Sequence, residues 1–185
     1  FASLELHQKS EEISGGAVQI GNPIEEKKVT DVVLAARDRH LFSTITDCGG
    51  GGLSSAIGEL ASEQGCEVWL DRVPLKYAGL SPAEIWISEA QERMVVFAEP
   101  ATTGELLRLA AAGDVEATVI GKVTGSGRLV LKFRRHVVAD IDMKFLHHGW
   151  HGTTKKAHWQ RPETADPSVP LGLDLTAEIL RLLQA

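Results

Sequence analysis

The sequence predicts an α+β domain, a mixed β-sheet packed with helices. Three observations carry this. Short runs rich in β-branched residues alternate with stretches of helical periodicity over most of the chain. A glycine-punctuated hairpin signal, Gly125-Ser126-Gly127, separates two late strand-like runs. The length of 185 residues, 43% hydrophobic and 24% charged, is enough for one domain with a real core.

Each element has its own signal. Residues 1–16 are mixed and polar and read as an arm. Residues 17–20 form a short apolar strand ended by Gly21-Asn22-Pro23, and Pro23 sits where a helix can start. Residues 24–39 follow as that helix, with Val29, Val32, Val33 and Ala36 at helical spacing. Residues 41–46 read as a buried strand. Residues 53–64 read as a helix whose small residues, Ser54, Ser55, Ala56, Gly58 and Ala61, allow close packing. Residues 67–71 alternate as a strand. Ser81-Pro82-Ala83-Glu84 is a capping box that opens a short helix.

Residues 92–98, with Met94, Val95, Val96 and Phe97, have a central-strand pattern. Thr102-Thr103-Gly104-Glu105 reads as a second capping box, opening a helix that stops at Gly113. Residues 117–123 and 128–133 are predicted to pair as a hairpin, with another strand at 137–141. Composition changes after Leu146. Residues 147–170 hold four His, two Trp and three Pro and read as a linker. Residues 175–183 form an amphipathic helix with Leu175, Ile179, Leu182 and Leu183 on one face. The expected organisation is an arm at 1–16, a domain at 17–146, and a linker with a terminal helix at 147–185.

Bulk properties exclude several classes. A net charge of −6 argues against non-specific nucleic-acid binding. No apolar run approaches a membrane span, and the opening Phe-Ala-Ser-Leu lacks a signal-peptide pattern, so no membrane partner and a cytoplasmic location are expected. The missing initial Met implies either processing or a piece of a longer protein. Cys48 and Cys66 make no disulfide framework and read as buried thiols of a reducing compartment. Cys48 beside Asp47 has no His or Asn near it in sequence to support a nucleophile.

The most informative run is Thr46-Asp47-Cys48-Gly49-Gly50-Gly51-Gly52-Leu53-Ser54-Ser55. A strand ends in a carboxylate, four glycines bare the backbone, and a helix begins. Amides and a helix N-terminus favour a phosphate, and the carboxylate favours its magnesium ion. The bland alternatives are an Asp that caps a turn and glycines that permit close helix–strand packing. His147, His148, His151 and His158 invite a metal site, but no carboxylate or Cys nearby completes a tetrahedral set, so solvated linker histidines are expected. Gly121-Lys122-Val123-Thr124-Gly125-Ser126-Gly127 has the wrong order for a Walker A loop.

Four linked motifs then resemble one family. Val18-Gln19-Ile20-Gly21-Asn22-Pro23, the Asp47 glycine run, Asp71-Arg72-Val73-Pro74-Leu75 and Ser88-Glu89-Ala90-Gln91-Glu92-Arg93-Met94 come in the order and spacing of phosphoribosylformylglycinamidine synthase. The resemblance covers residues 16–146. It implies an AIR synthase C-terminal-type domain, a three-layer α/β fold of partly ferredoxin-like topology. It also implies a ligase that makes formylglycinamidine ribonucleotide from formylglycinamide ribonucleotide, ATP and glutamine-derived ammonia. Phosphorylation of the substrate amide would be followed by displacement with ammonia. The implied partners are the ribonucleotide, an N-terminal ATP-binding half, a glutaminase subunit or domain, and a second copy or pseudo-copy met through the sheet. Magnesium and ATP are the implied cofactors.

The same resemblance assigns Gln19, Glu89, Ala90 and Gln91 to substrate, Asp47 to magnesium, and Gly49, Gly50, Gly51 and Gly52 to a phosphate-facing loop. Ala90 stands where the family has Ser, and the family has Ala at one of the glycine positions. No catalytic residue is expected in this chain, because the family's catalytic His belongs to the N-terminal half, so the chain alone is expected to be inactive. Two alternatives remain at this point. One is a non-catalytic interaction or regulatory domain of the same fold. The other is a different ATP-dependent enzyme of the superfamily, such as selenophosphate synthetase.

Overall fold

The computed structural model describes residues 18–150, 152, 154–161, 163 and 172–184. The expected arm at 1–16, His151, and much of the expected linker therefore lie outside the described residues. The chain divides into two compact units, Phe1–His151 and Gly152–Ala185. The division falls after His151, whereas the sequence placed it after residue 146. The cause is a short helix, α5 (Met143–His148), that the sequence did not signal. Asp142 caps it by accepting from the Phe145 amide, Met143 is buried, and the His147 ring lies 3.0 Å from the Gly58 carbonyl.

The first unit is α+β, as expected. Strand β1 (Val18–Gln19) leads into helix α1 (Pro23–Asp38), where Asn22 accepts from the Ile24 amide and Pro23 occupies the first turn. Val32 and Ala36 bury the helix's inner face. Strand β2 (Thr44–Asp47) follows, then α2 (Leu53–Leu60), β3 (Cys66–Trp69), a 3-10 turn (Leu70–Arg72), and α3 (Pro82–Ile87). The Ser81–Glu84 capping box is present with both of its bonds. Next come β4 (Glu89–Ala90), β5 (Met94–Phe97), α4 (Pro100–Ala112), β6 (Gly121–Val123), β7 (Arg128–Phe133) and β8 (His136–Asp142).

Four expectations need correction. Residues 94–97 are not a central strand: among the described residues β5 pairs only with β2, antiparallel, with Asp47 opposite Met94. Nor is β2 buried; its pattern is mostly half-exposed, because the pair lacks a third strand among the described residues. Helix α4 starts at Pro100, two residues before the Thr102 box. Proline's fixed φ sets the start, and the Thr102 and Thr103 hydroxyls donate back to the Glu99 carbonyl inside the first turn.

The fourth correction concerns topology. Strands β6 and β7 do not form a hairpin, because β3 lies between them in a sheet of order β6-β3-β7-β8. The glycine-rich link crosses the start of β3: the Thr124 amide donates to the Gly65 carbonyl and the Gly127 amide to that of Gln64. Gly125 and Gly127 hold positive φ for this crossing. The true hairpin is β7–β8, turned at Arg134 with φ +51 and held by the Arg134 amide on Asp71 Oδ1.

The core sits between this sheet and helices α2, α3 and α5. Leu53, Ile57, Val68, Leu70, Ile85, Leu129, Leu131 and Met143 form one buried cluster. Val95 of β5 joins it, which ties the small β2–β5 pair to the main sheet. In the second unit, α6 (Leu175–Leu183) is capped by Asp174 and leaves Leu175, Ile179, Leu182 and Leu183 exposed. Among the described residues no helix is long and apolar enough to cross a membrane.

Candidate functional site

Two short ladders converge at one end of the first unit. Strands β1 and β4 run parallel with Gln19 opposite Ala90, and β4 leads through a turn at Glu92 into β5. The Ala90 amide donates to the Cys48 carbonyl at 3.1 Å, and the Cys48 amide donates to the Arg93 carbonyl at 3.0 Å. The glycine run after Asp47 is thereby stitched to the 88–94 segment. The three places singled out in sequence, Gln19, Asp47 with its glycines, and 89–91, lie in one neighbourhood.

Within it the side chains differ in availability. Alternation along β4 turns Ala90 inward, leaving Glu89 half-buried and Gln91 exposed. No ion pair among the described residues uses Glu89 or Asp47, and Asp47 is exposed. Gln91 has half its amide committed, since its Oε1 accepts from the Gly21 amide at 2.8 Å.

Gln19 and Ala90 are not offered to a ligand in this structure, contrary to expectation. Gln19 is fully buried; its Nε2 donates to Ser88 Oγ and its Oε1 accepts from the Lys76 amide, both at 2.9 Å. A buried amide with both ends paired is part of the frame. Ala90 is buried, and its amide and carbonyl are already used by Cys48 and Arg93.

The glycine loop has distinct demands at each position. Gly52 has φ +56 and ψ −132, and a Cβ there would lie 2.1 Å from the Ser88 carbonyl oxygen. Gly51 has φ +84. A Cβ on Gly49 would meet only the end of the Asp47 side chain, at 2.8 Å, and one on Gly50 would meet nothing. Gly50 is therefore the position that most readily accepts the family's alanine. The Ser54 and Ser55 hydroxyls turn back onto the Gly51 and Gly50 carbonyls, and α2, with Gly52 at its N-cap, begins without a side-chain cap or an acidic residue in its first turn. Amides left in this way suit an anion.

The fit to magnesium follows from the donor set. Among the described residues no group of three or more His, Cys, Asp or Glu converges. A single exposed carboxylate beside an anion-friendly loop matches a cation that completes its shell with water and phosphate oxygens. Burial pushes the Cys48 thiol up, with the Arg93 cation pulling against it, and so argues against a nucleophile at neutral pH. Among the described residues the His147 and His148 pair gathers no further ligand.

Comparison with known proteins bears on the family and the fold. The family model described as AIR synthase related protein, C-terminal domain, matches residues 1–134. The chain belongs to this family. Phosphoribosylformylglycinamidine synthase subunit PurL of Methanopyrus kandleri is 35% identical to this chain over 187 residues, covering 97% of the chain and 25% of the relative. The same subunit of Nocardioides sp. is 39% identical over 160 residues, covering 84% and 21%. The chain thus spans about a quarter of the length of such relatives. Among solved structures, T. maritima PurL complexed with FGAR has a TM-score of 0.71 at 29% identity, covering 80% of this chain and 25% of that one. The fold is shared with that protein.

Three residues of the candidate site were given no role from the sequence. Ser88 bonds Gln19 and its carbonyl abuts Gly52. Arg93 donates from Nη2 to the Ser88 carbonyl at 3.1 Å, while its Nε and Nη1 are buried without a partner among the described residues. Lys76 reaches across from a loop. Ser88 and Arg93 lie within the motif that carried Glu89 and Gln91, which assigned them no role; nothing in the sequence marks Lys76.

Proposed function

We propose that this chain is part of a phosphoribosylformylglycinamidine synthase synthetase subunit, an ATP-dependent carbon–nitrogen ligase of purine biosynthesis, and supplies the magnesium and ribonucleotide side of its site. The observation that carries this reading is the stitching of the Asp47 glycine loop to the Glu89–Gln91 strand through the Ala90–Cys48 hydrogen bond. Relatives named PurL, and a related structure described as complexed with FGAR, support it.

In this reading Glu89 and Gln91 receive formylglycinamide ribonucleotide from the exposed side of β4. Glu89 accepts from its hydroxyl or amide groups, and Gln91 donates through Nε2. Asp47 holds magnesium, and the amides of Gly50, Gly51 and Leu53 face phosphate. Magnesium, when bound, neutralises charge on phosphoryl oxygens. Gln19 and Ala90 serve from beneath, keeping β1 and β4 in register. The ATP-gripping and catalytic groups come from other segments of the parent, ammonia from a glutaminase partner, and the main sheet, with Val137 and Val138 exposed on β8, meets a second copy or pseudo-copy. A cytoplasmic location fits this chemistry.

The test is titration of the purified chain with formylglycinamide ribonucleotide, with and without magnesium, followed residue by residue by NMR. Shifts are expected at Asp47, Gly49 to Gly52 and Glu89 to Gln91, strengthened by magnesium and lost in Glu89→Gln or Asp47→Asn. Shifts confined to another surface would overturn the site. ATP- and ammonia-dependent turnover by the chain alone would overturn the division of labour.

A further inference from the structure

The β1–β4 ladder has two residues per strand, too little to hold itself in place. Lys76 lies far from it in sequence, in the loop between the 3-10 turn and α3. Its amide donates to Gln19 Oε1 at 2.9 Å. Its ammonium donates to the Ile20 carbonyl at 3.1 Å, the Gln91 carbonyl at 2.9 Å and Glu92 Oε2 at 3.2 Å. An ammonium has three protons, and here each has an acceptor. Two acceptors lie just past the end of β4 and one just past the end of β1.

The surroundings are shaped around this contact. Glu92 holds φ +59, and its Oε2 also accepts from the Asn22 amide at 3.0 Å. A Cβ on Gly21 would lie 1.8 Å from that carboxylate, so a glycine is required for Glu92 to sit there. The Tyr77 hydroxyl accepts from the Ile20 amide at 3.4 Å and closes the wrap. The simpler account is a partly exposed Lys76–Glu92 ion pair, which contributes little. The two backbone carbonyls distinguish the arrangement from such a pair.

We infer that Lys76 is a positioning residue for the ribonucleotide site, an ammonium clasp that fixes the ends of β1 and β4 and so sets where Glu89 and Gln91 stand relative to the Asp47 loop. Its effect on ligand rests on the function proposed above; the clasp itself does not.

The experiment compares Lys76→Met and Glu92→Gln in the full chain. Hydrogen exchange is read at the Gln91 and Gly21 amides, which bond Gln19 O and Gln91 Oε1. Lys76→Met should lower protection at both by about tenfold while amides of β3 and β7 are unchanged. Glu92→Gln keeps an oxygen acceptor and both carbonyls, and should change protection by less than about threefold. The Kd for formylglycinamide ribonucleotide should rise about tenfold in Lys76→Met alone. Wild-type protection in Lys76→Met, equal losses in both variants, or an unchanged Kd beside lost protection would each overturn the inference. If wild-type chain binds no ribonucleotide, the proposed function fails, and the exchange data alone decide the clasp. Lys76→Gln carries the same test should Lys76→Met not fold.

Discussion

Replacing Gly52 with alanine tests the geometry of the glycine loop most directly. Two costs add. The backbone at φ +56 and ψ −132 lies in a region open essentially to glycine alone, a strain of about 1–3 kcal/mol for any other residue. The new Cβ would also stand 2.1 Å from the Ser88 oxygen, 2.7 Å from its carbonyl carbon and 3.0 Å from that of Ile87. These are backbone atoms, held by the Ser88 amide on Glu84 and by Arg93 on the Ser88 carbonyl, so they cannot swing aside. Overpacking of this kind costs about 1–3 kcal/mol. The sum, about 2–6 kcal/mol, is a large part of an ordinary domain's stability of about 5–15 kcal/mol. Gly50→Ala is the control, with open space around its Cβ and no positive φ; it should be neutral or stabilise by up to about 1 kcal/mol. Urea unfolding at fixed m decides: at about 1–3 kcal/mol per molar, Gly52→Ala should lower the midpoint by about 1 M or more. Equal midpoints for the two variants would refute the reasoning.

Two further outcomes follow from the same structure. Both thiols should resist a thiol reagent at pH 8 in the native chain and react in urea, since burial pushes Cys66 up to about 11 and raises Cys48 as well; native-state labelling of either would contradict the packing. Hydrogen bonds hold three carboxylates below their ordinary range: Lys132 acts on Glu67, Ser81 on Glu84, and Lys28 on Asp114. Their stabilisation is present above the ordinary carboxylate range and is lost as pH falls through it toward the folded values. Tm should therefore be flat near neutrality and fall in acid, and Ser81→Ala should cost about 1 kcal/mol through its lost cap bond from the Glu84 amide, both of which thermal melts can check.

The elements with local signals were legible in the sequence. Asn22-Pro23 and Ser81-Pro82-Ala83-Glu84 start helices where they stand, because a cap is a bond between near neighbours. Strand partners were not legible in the same way. Gly125-Ser126-Gly127 looks like a hairpin because a hairpin and a crossing over Gly65 demand the same positive φ values. The Arg134 turn carries no glycine and depends on Asp71, distant in sequence. At the candidate site, the motifs marked segments that the fold brings together but not which atoms are free. Gln19 lies among these segments and is fully engaged, a fact fixed by Ser88 and Lys76 rather than by its own neighbours.

The order of residues alone determined the α+β class, most helix starts, the family, and the choice of Asp47, the glycine run and residues 89–91 as the place to look. Those features rest on interactions a few residues long or on motif order. Only the tertiary structure decided the sheet order, the burial of Gln19 and Ala90, the need for Gly52 beneath Ser88, and the clasp of Lys76. Each of these depends on which atoms separate segments bring within hydrogen-bond or contact distance, and no local stretch of sequence encodes that distance.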